Sequence, residues 1–322
     1  MGAVLGFALA AITAGSGAPA SAGPVIDIGG RTVEVHVPAG YHAGSRAPVV
    51  MLLHGYGASG QTQENYMQFG DLADEFGFLY VYPDGTENGV GARFWNATDA
   101  CCDVFGSGVD DASYLRAVLD EIRATLSIDP RRVYVIGHSN GGFMAYRMAC
   151  DHADLIAASV SLAGATFDDA GDCSPTEPVD VLQIHGTLDP TILYGGGAIT
   201  GTPYPGAVAS VETWATYNGC SGVGDTSPPP LDLDSSLAGD ETSVTRYATD
   251  CDRGGSAELW TIAGGLHSPA LSEDFNRSVI EYLFAHGKPA PPVPALSRVG
   301  RWLLWGLVLA ATVPRLRGRG RR

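Results

Sequence analysis

The sequence predicts an α/β protein whose mainly parallel sheet carries helices on both faces. Short apolar runs alternate with stretches of helical spacing along most of the chain, the pattern of strands joined by crossover helices. The run Val49 to Leu53 is apolar without interruption, as a strand buried on both faces requires. Gly137-His138-Ser139-Asn140-Gly141 lies between the strand-like run Arg132 to Ile136 and the helix-like stretch Gly142 to Ala149. A serine flanked by glycines at a strand-to-helix turn is the pattern of a nucleophile elbow.

In chain order, Thr32 to Val37 alternates apolar and polar residues, as an edge strand does. Gln61 to Phe76 reads as one helix and Phe78 to Tyr82 as a strand. Asp111 to Leu126 has helix spacing, with Tyr114, Leu115, Val118, Leu119 and Ile122 on one face. Strands are expected at Val133 to Ile136, Ala158 to Leu162, Val181 to His185 and Leu259 to Ile262, and helices at Ala207 to Asn218 and Ser272 to His286. The Pro- and Asp-rich segment Ser221 to Gly239 reads as a surface loop. No internal repeat is evident, and one catalytic domain over residues 23–286 accounts for the pattern.

The 322 residues, 45% of them hydrophobic, suffice for one large core. The formal charge of −16 is unevenly placed: from Arg298 onward there are seven arginines and no acid, so everything before carries the acidic excess. Such a body does not suit nucleic acid, which needs a basic face; oligomeric state is not legible. Met1 to Ala22 reads as a secretory signal, with an apolar core at Val4 to Ala14 and a small-x-small cleavage site at Ala20-Ser21-Ala22. It lacks the customary Lys or Arg ahead of that core. Six cysteines in an exported chain point to disulfides. Local placement favours Cys150 with Cys173 and Cys220 with Cys251, leaving Cys101 and Cys102 as a vicinal bridge or free thiols.

A serine hydroxyl needs an imidazole to take its proton, and the imidazole needs a carboxylate to fix its tautomer. In α/β-hydrolases the chain order is Ser, acid, His. Asp189 follows the strand Val181 to His185, and His267 follows Leu259 to Ile262. Both lie past carboxyl ends of strands, where groups in open α/β sheets converge. His54 and His185 end strands and are expected to satisfy backbone groups; His138 should point away from the hydroxyl beside it. Asp110 and Asp111 read as helix caps. The oxyanion donors are expected to be the amides of Asn140 and of Tyr56, in the loop His54-Gly55-Tyr56-Gly57.

From about Thr32 to His286 the chain resembles the secreted esterase family that groups polyhydroxybutyrate depolymerase-like proteins with feruloyl and acetylxylan esterases. The resemblance rests on Leu53-His54-Gly55, Tyr82-Pro83-Asp84-Gly85-Thr86, Trp95-Asn96, Cys101-Cys102 and Val109-Asp110-Asp111. It continues through Gly137 to Gly142, His185-Gly186-Thr187-Leu188-Asp189-Pro190 and Tyr194-Gly195-Gly196. It implies an α/β-hydrolase fold, a Ser-His-Asp esterase without metal or organic cofactor, and Trp95 as a lining residue of the acyl or aryl pocket, with a core or lid tryptophan as the equal alternative. Where many relatives carry His-x-Trp-Pro-Gly, this chain has His267-Ser268-Pro269-Ala270, which leaves the ester open: hydroxyalkanoate oligomers or feruloyl or acetyl polysaccharide esters. An envelope acyltransferase and a non-catalytic surface-binding protein are the alternatives.

Residues 287–295 form a Pro-rich linker, and 296–322 join an apolar stretch to an Arg-rich end. The apolar part is shorter than the roughly 20 residues of an ordinary spanning helix. It resembles the PEP-CTERM and IPTL-CTERM sorting tails, which implies a sorting protease as partner and an envelope or secreted location.

Overall fold

The computed structural model of the chain describes residues 21–289. The chain divides into two compact units, Met1–Lys288 and Pro289–Arg322. The expected signal core and the sorting tail lie outside the described residues. The strands are β1 (Ser21–Ile28), β2 (Arg31–Val37), β3 (Ala47–Leu53), β4 (Leu79–Val81), β5 (Thr86–Glu87), β6 (Arg93–Phe94), β7 (Ile128–His138), β8 (Ala158–Leu162), β9 (Asp180–Gly186), β10 (Gly196–Ile199), β11 (Thr202–Pro205), β12 (Thr242–Tyr247) and β13 (Ala257–Ile262). The helices are α1 (Gly60–Met67), α2 (Gly70–Phe76), α3 (Asp111–Thr125), α4 (Asn140–Asp151), α5 (Ala207–Tyr217) and α6 (Phe275–Ala285).

Nine strands form one sheet in the order β1-β2-β4-β3-β7-β8-β9-β13-β12. The run from β4 to β13 is parallel, while β1, β2 and β12 pair antiparallel at the two edges. Every residue of β3 is buried, because apolar clusters pack on both faces of the sheet. The register aligns the carboxyl ends: Leu53 pairs with Gly137, His138 with Leu162, Leu162 with Ile184, and Gly186 with Ile262. Loops leaving β3, β7, β9 and β13 therefore emerge side by side.

This is the mostly parallel, helix-covered α/β-hydrolase architecture expected from the sequence, with three local differences. The helix expected over Gln61 to Phe76 is two helices, broken where Gln68 takes a left-handed φ of 54°. The break drives Phe69 into the core and lets the Gly70 amide donate to Glu64 Oε1 at 2.9 Å. The segment Ser221 to Gly239 lies on the surface as expected, but it also bridges back to Arg246, Thr242 and Leu271 and buries Leu233. It thereby covers the edge strand β12, which the sequence reading missed.

Asp110 caps α3 as expected, accepting from the Ser113 amide at 2.9 Å. Asp111 does not. Its carboxylate is buried, pairs with Arg31 at 3.0 Å, and accepts from Thr86 Oγ1 at 3.0 Å and the Asn96 amide at 2.9 Å. The Arg31 guanidinium lies over the Tyr114 ring at 3.4 Å. One carboxylate thus ties β2, the Thr86 turn and the Trp95-Asn96 loop to α3. All six cysteines are paired, Cys101–Cys102, Cys150–Cys173 and Cys220–Cys251. Among the described residues no helix is long and apolar enough to cross a membrane.

Removing one partner of a buried ion pair leaves the other charge uncompensated. Asp111→Ala should therefore cost about 3 kcal/mol, read as a lower denaturant midpoint at unchanged slope with the disulfides intact.

Candidate active site

Strand β7 ends at His138, and the chain turns into α4 within one residue. That residue, Ser139, has φ 55° and ψ −120°, outside the regions open to most side chains. The turn is possible because its flanks are glycine. A Cβ on Gly137 would overlap the Gly141 carbonyl, and one on Gly141 the Leu53 carbonyl of β3. The Ser139 amide donates to Leu162 O at 2.8 Å and its carbonyl accepts from the Phe143 amide at 3.0 Å, so the backbone stays satisfied and the hydroxyl projects from the sheet edge.

The loops after β9 and β13 are joined to each other before they reach the serine. Thr187 N donates to Ile262 O at 3.0 Å, Leu188 N to Gly265 O at 3.0 Å, and Gly264 N to Thr187 Oγ1 at 2.8 Å. Gly186 meets the Gly265 backbone too closely for a side chain. These contacts bring together the three residues expected from the sequence. His267 Nδ1 is 2.8 Å from Asp189 Oδ2, and His267 Nε2 is 3.0 Å from Ser139 Oγ. With a carboxylate at Nδ1, the neutral ring has Nδ1–H donating to it and Nε2 accepting from the hydroxyl.

Asp189 is buried yet held ionised. Burial alone would raise its pKa, but hydrogen bonds from His185, His267 and the Thr191 amide outweigh that and hold the carboxyl well below its usual range. Oδ1 accepts from the Thr191 and Ile192 amides at 2.8 and 2.9 Å, and His185 Nε2 lies 3.2 Å from Oδ2. His185 satisfies a backbone group, Ile192 O at 2.8 Å, as the sequence suggested. Its further contact with Asp189 was missed, although the i, i+4 spacing in His185-Gly186-Thr187-Leu188-Asp189 is visible in the sequence. His54 behaves as expected, with Nδ1 on Gly55 O and Nε2 accepting from the Gly85 amide, both at 2.8 Å.

In the loop after β3, Gly55 N donates to Gln63 Oε1 at 3.1 Å and Gly57 N to Arg93 O at 2.7 Å. The Tyr56 amide between them, and the Asn140 amide at the start of α4, have no protein acceptor among the described residues. The Asn140 side chain holds the neighbouring loop. Its Oδ1 accepts from Trp95 N at 2.8 Å, and its Nδ2 donates to Trp95 O at 2.9 Å and to Cys101 Sγ at 3.4 Å.

That arrangement corrects the expectation for Trp95. The indole is 0% exposed, stacks near His54 at 4.9 Å and donates from Nε1 to His54 O at 3.0 Å. It supports the Tyr56 loop from below and presents no surface to a substrate. The exposed apolar groups beside the site are instead Tyr56 (43%), Leu188 (63%) and Leu266 (55%). Among the described residues no group of three or more His, Cys, Asp or Glu side chains is arranged to hold a metal ion.

Residues 32–216 match the family model described as esterase PHB depolymerase. Feruloyl esterase B of Piromyces equi is 30% identical over 249 residues, covering 74% of this chain and 42% of that protein. Poly(3-hydroxyalkanoate) depolymerase C of Paucimonas lemoignei is 34% identical over 134 residues, 41% of this chain and 31% of that one. The chain thus spans less than half the length of these curated relatives. Among solved structures, an acetyl xylan esterase from Aspergillus awamori superposes with a TM-score of 0.54 at 16% identity, over 79% of this chain and 93% of that chain, a likeness of fold.

A carboxylate with a depressed folded-state pKa stabilises the fold above its unfolded pKa and loses that contribution as pH falls through the folded value. Asp189→Asn should therefore unfold more easily than the parent chain at pH 7. The gap should shrink below about pH 4, the ordinary carboxyl range, in paired urea titrations across pH.

Proposed function

The chain belongs to the PHB depolymerase family of esterases, and from that premise we propose that it is a serine carboxylic ester hydrolase with Ser139 as nucleophile, His267 as general base and Asp189 as the orienting acid. The single observation that carries the reading is His267 lying 3.0 Å from Ser139 Oγ on one side and 2.8 Å from Asp189 on the other.

In this mechanism His267 Nε2 takes the Ser139 proton as Oγ attacks the ester carbonyl carbon. Negative charge then develops on the carbonyl oxygen, where the unengaged Tyr56 and Asn140 amides receive it. Each such donor contributes about 10²- to 10³-fold in rate, because it is already aimed before the charge forms. Return of the proton from His267 to the leaving oxygen expels the alcohol and leaves an acyl-Ser139 ester. Water, deprotonated by the same imidazole, then releases the acid. Asp189 stays ionised throughout and stabilises the imidazolium.

The substrates proposed are hydroxyalkanoate oligomers or feruloyl or acetyl polysaccharide esters. Exposed Tyr56, Leu188 and Leu266 favour an ester with apolar groups flanking the scissile bond. Residues 1–22 serve as an export signal, and the three disulfides support an oxidising destination. A mature chain starting at Gly23 keeps the paired residues Val25–Ile28 of β1. Residues 23–286 are the catalytic domain, 287–295 a linker, and 296–322 an anchor or sorting tail read by an envelope protease.

Ser139→Ala should lower the kcat for p-nitrophenyl butyrate by about 10⁴-fold or more and abolish fluorophosphonate labelling; turnover surviving the substitution overturns the assignment. A panel of hydroxybutyrate oligomers, methyl ferulate and acetylated xylan then ranks the substrates by kcat/KM.

A further inference from the structure

The loop that carries His267 buries Pro269 but exposes Leu266, Ser268 and Ala270. Leu266 points to solvent, and a cavity of about 280 Å³ lies beyond the loop, between Tyr66, Met67 and Gln68 on one side and Ala270, Leu271 and Phe275 on the other. Open space on that side leaves the loop fewer van der Waals contacts there. The buried ring of His138 and the partly buried ring of Tyr66 reach its backbone instead. His138 Nε2 is 3.0 Å from the carbonyl oxygen of His267, and the Tyr66 hydroxyl donates to the carbonyl of Pro269 at 2.8 Å. The two clamping rings also touch each other at 5.5 Å, and His138 lies 5.1 Å from the His267 ring.

We propose that His138 and Tyr66 are positioning residues that hold the His267–Pro269 backbone so that the imidazole stays within reach of both Ser139 and Asp189, an inference that rests on the triad reading above. His138 is placed for this by the elbow: adjacent side chains diverge at the end of β7, so Ser139 faces the site while His138 faces the loop behind it. Tyr66 is supplied by α1, whose Gln63 also holds the Gly55 amide at 3.1 Å. One short helix therefore fixes both the loop after β3 and the loop after β13.

The chemistry of both groups suits a clamp. Burial lowers the His138 pKa to about 4 despite the opposing hydrogen bond to the His267 carbonyl, so the ring is neutral at working pH. The carbonyl partner at Nε2 then selects the Nε2–H tautomer. Burial pushes the Tyr66 phenol up, so it keeps the proton it donates.

The test compares His138→Leu, His138→Gln and Tyr66→Phe in the full chain with the parent and with Ser139→Ala. It measures kcat and KM on p-nitrophenyl butyrate, the rate of fluorophosphonate labelling, and the melting temperature. Loss of the clamp lets the imidazole wander by a fraction of an ångström to an ångström, which costs about 10- to 100-fold in rate. His138→Leu and Tyr66→Phe should lower kcat and the labelling rate by that factor with KM within about twofold. His138→Gln, whose amide can still donate to the His267 carbonyl, should recover most of the loss. Unchanged kcat in both His138→Leu and Tyr66→Phe, with Ser139→Ala inactive, overturns the clamp and leaves the triad standing. A fall in kcat that only tracks melting temperature, with glutamine no better than leucine, overturns it too. Activity surviving in Ser139→Ala removes the triad reading and the clamp with it. If His138→Leu does not fold, Tyr66→Phe and His138→Gln decide the matter by the same measurements.

Discussion

The site depends on a set of backbone crossings so close that only glycine fits. Gly137, Gly141 and Gly142 bring β7 and α4 against the end of β3 and against Gly164 after β8. Gly186 and Gly265 do the same for the loops after β9 and β13. With the chains in contact at the carbonyl level, the side chains on the next residues have nowhere to go but the common edge. The left-handed backbone of Ser139 costs about 1–3 kcal/mol, and it persists because both of its backbone groups are hydrogen-bonded. The rest of the sheet is what makes that strain affordable.

Electrostatics at the site run against the character of the chain. A chain of net charge −16 is a poor place to bury one more carboxylate, yet Asp189 is ionised because both of its oxygens meet donors. Two backbone amides come from its own loop, and two imidazoles come from β9 and the β13 loop. Asp111 solves the same problem differently, with one guanidinium, one hydroxyl and one amide. One carboxylate orients a histidine; the other organises the loop that Asn140 grips.

Features written in a few adjacent residues were legible in the sequence. The elbow, the acid after β9 and the histidine after β13 follow from strand, turn and helix signals, and the register of a parallel sheet brings them to one edge. Features set by distant chain were not legible. Trp95 reads as a pocket residue until Asn140 and His54 are seen to enclose it. Asp111 reads as a cap because it opens a helix, but Asp110 already fills that position. The break at Gln68 has no proline or glycine at the residue itself to announce it, and depends on Glu64 reaching the Gly70 amide. His138 sits inside the elbow motif, but the carbonyl it meets is 129 residues away in sequence.

The far end of β7 has a consequence for how the protein can be handled. The Lys288 amide donates to Arg131 O at 3.0 Å, so the described chain leaves the body beside the first residues of the strand whose last residue precedes Ser139. Eight residues of extended strand separate the two points by about 25 Å. A bead, resin or fusion partner joined directly at Lys288 therefore takes hold at the opposite rim of the sheet from the Ser139 hydroxyl. Tethered that way, the domain keeps the Ser139 edge of the sheet turned away from its support.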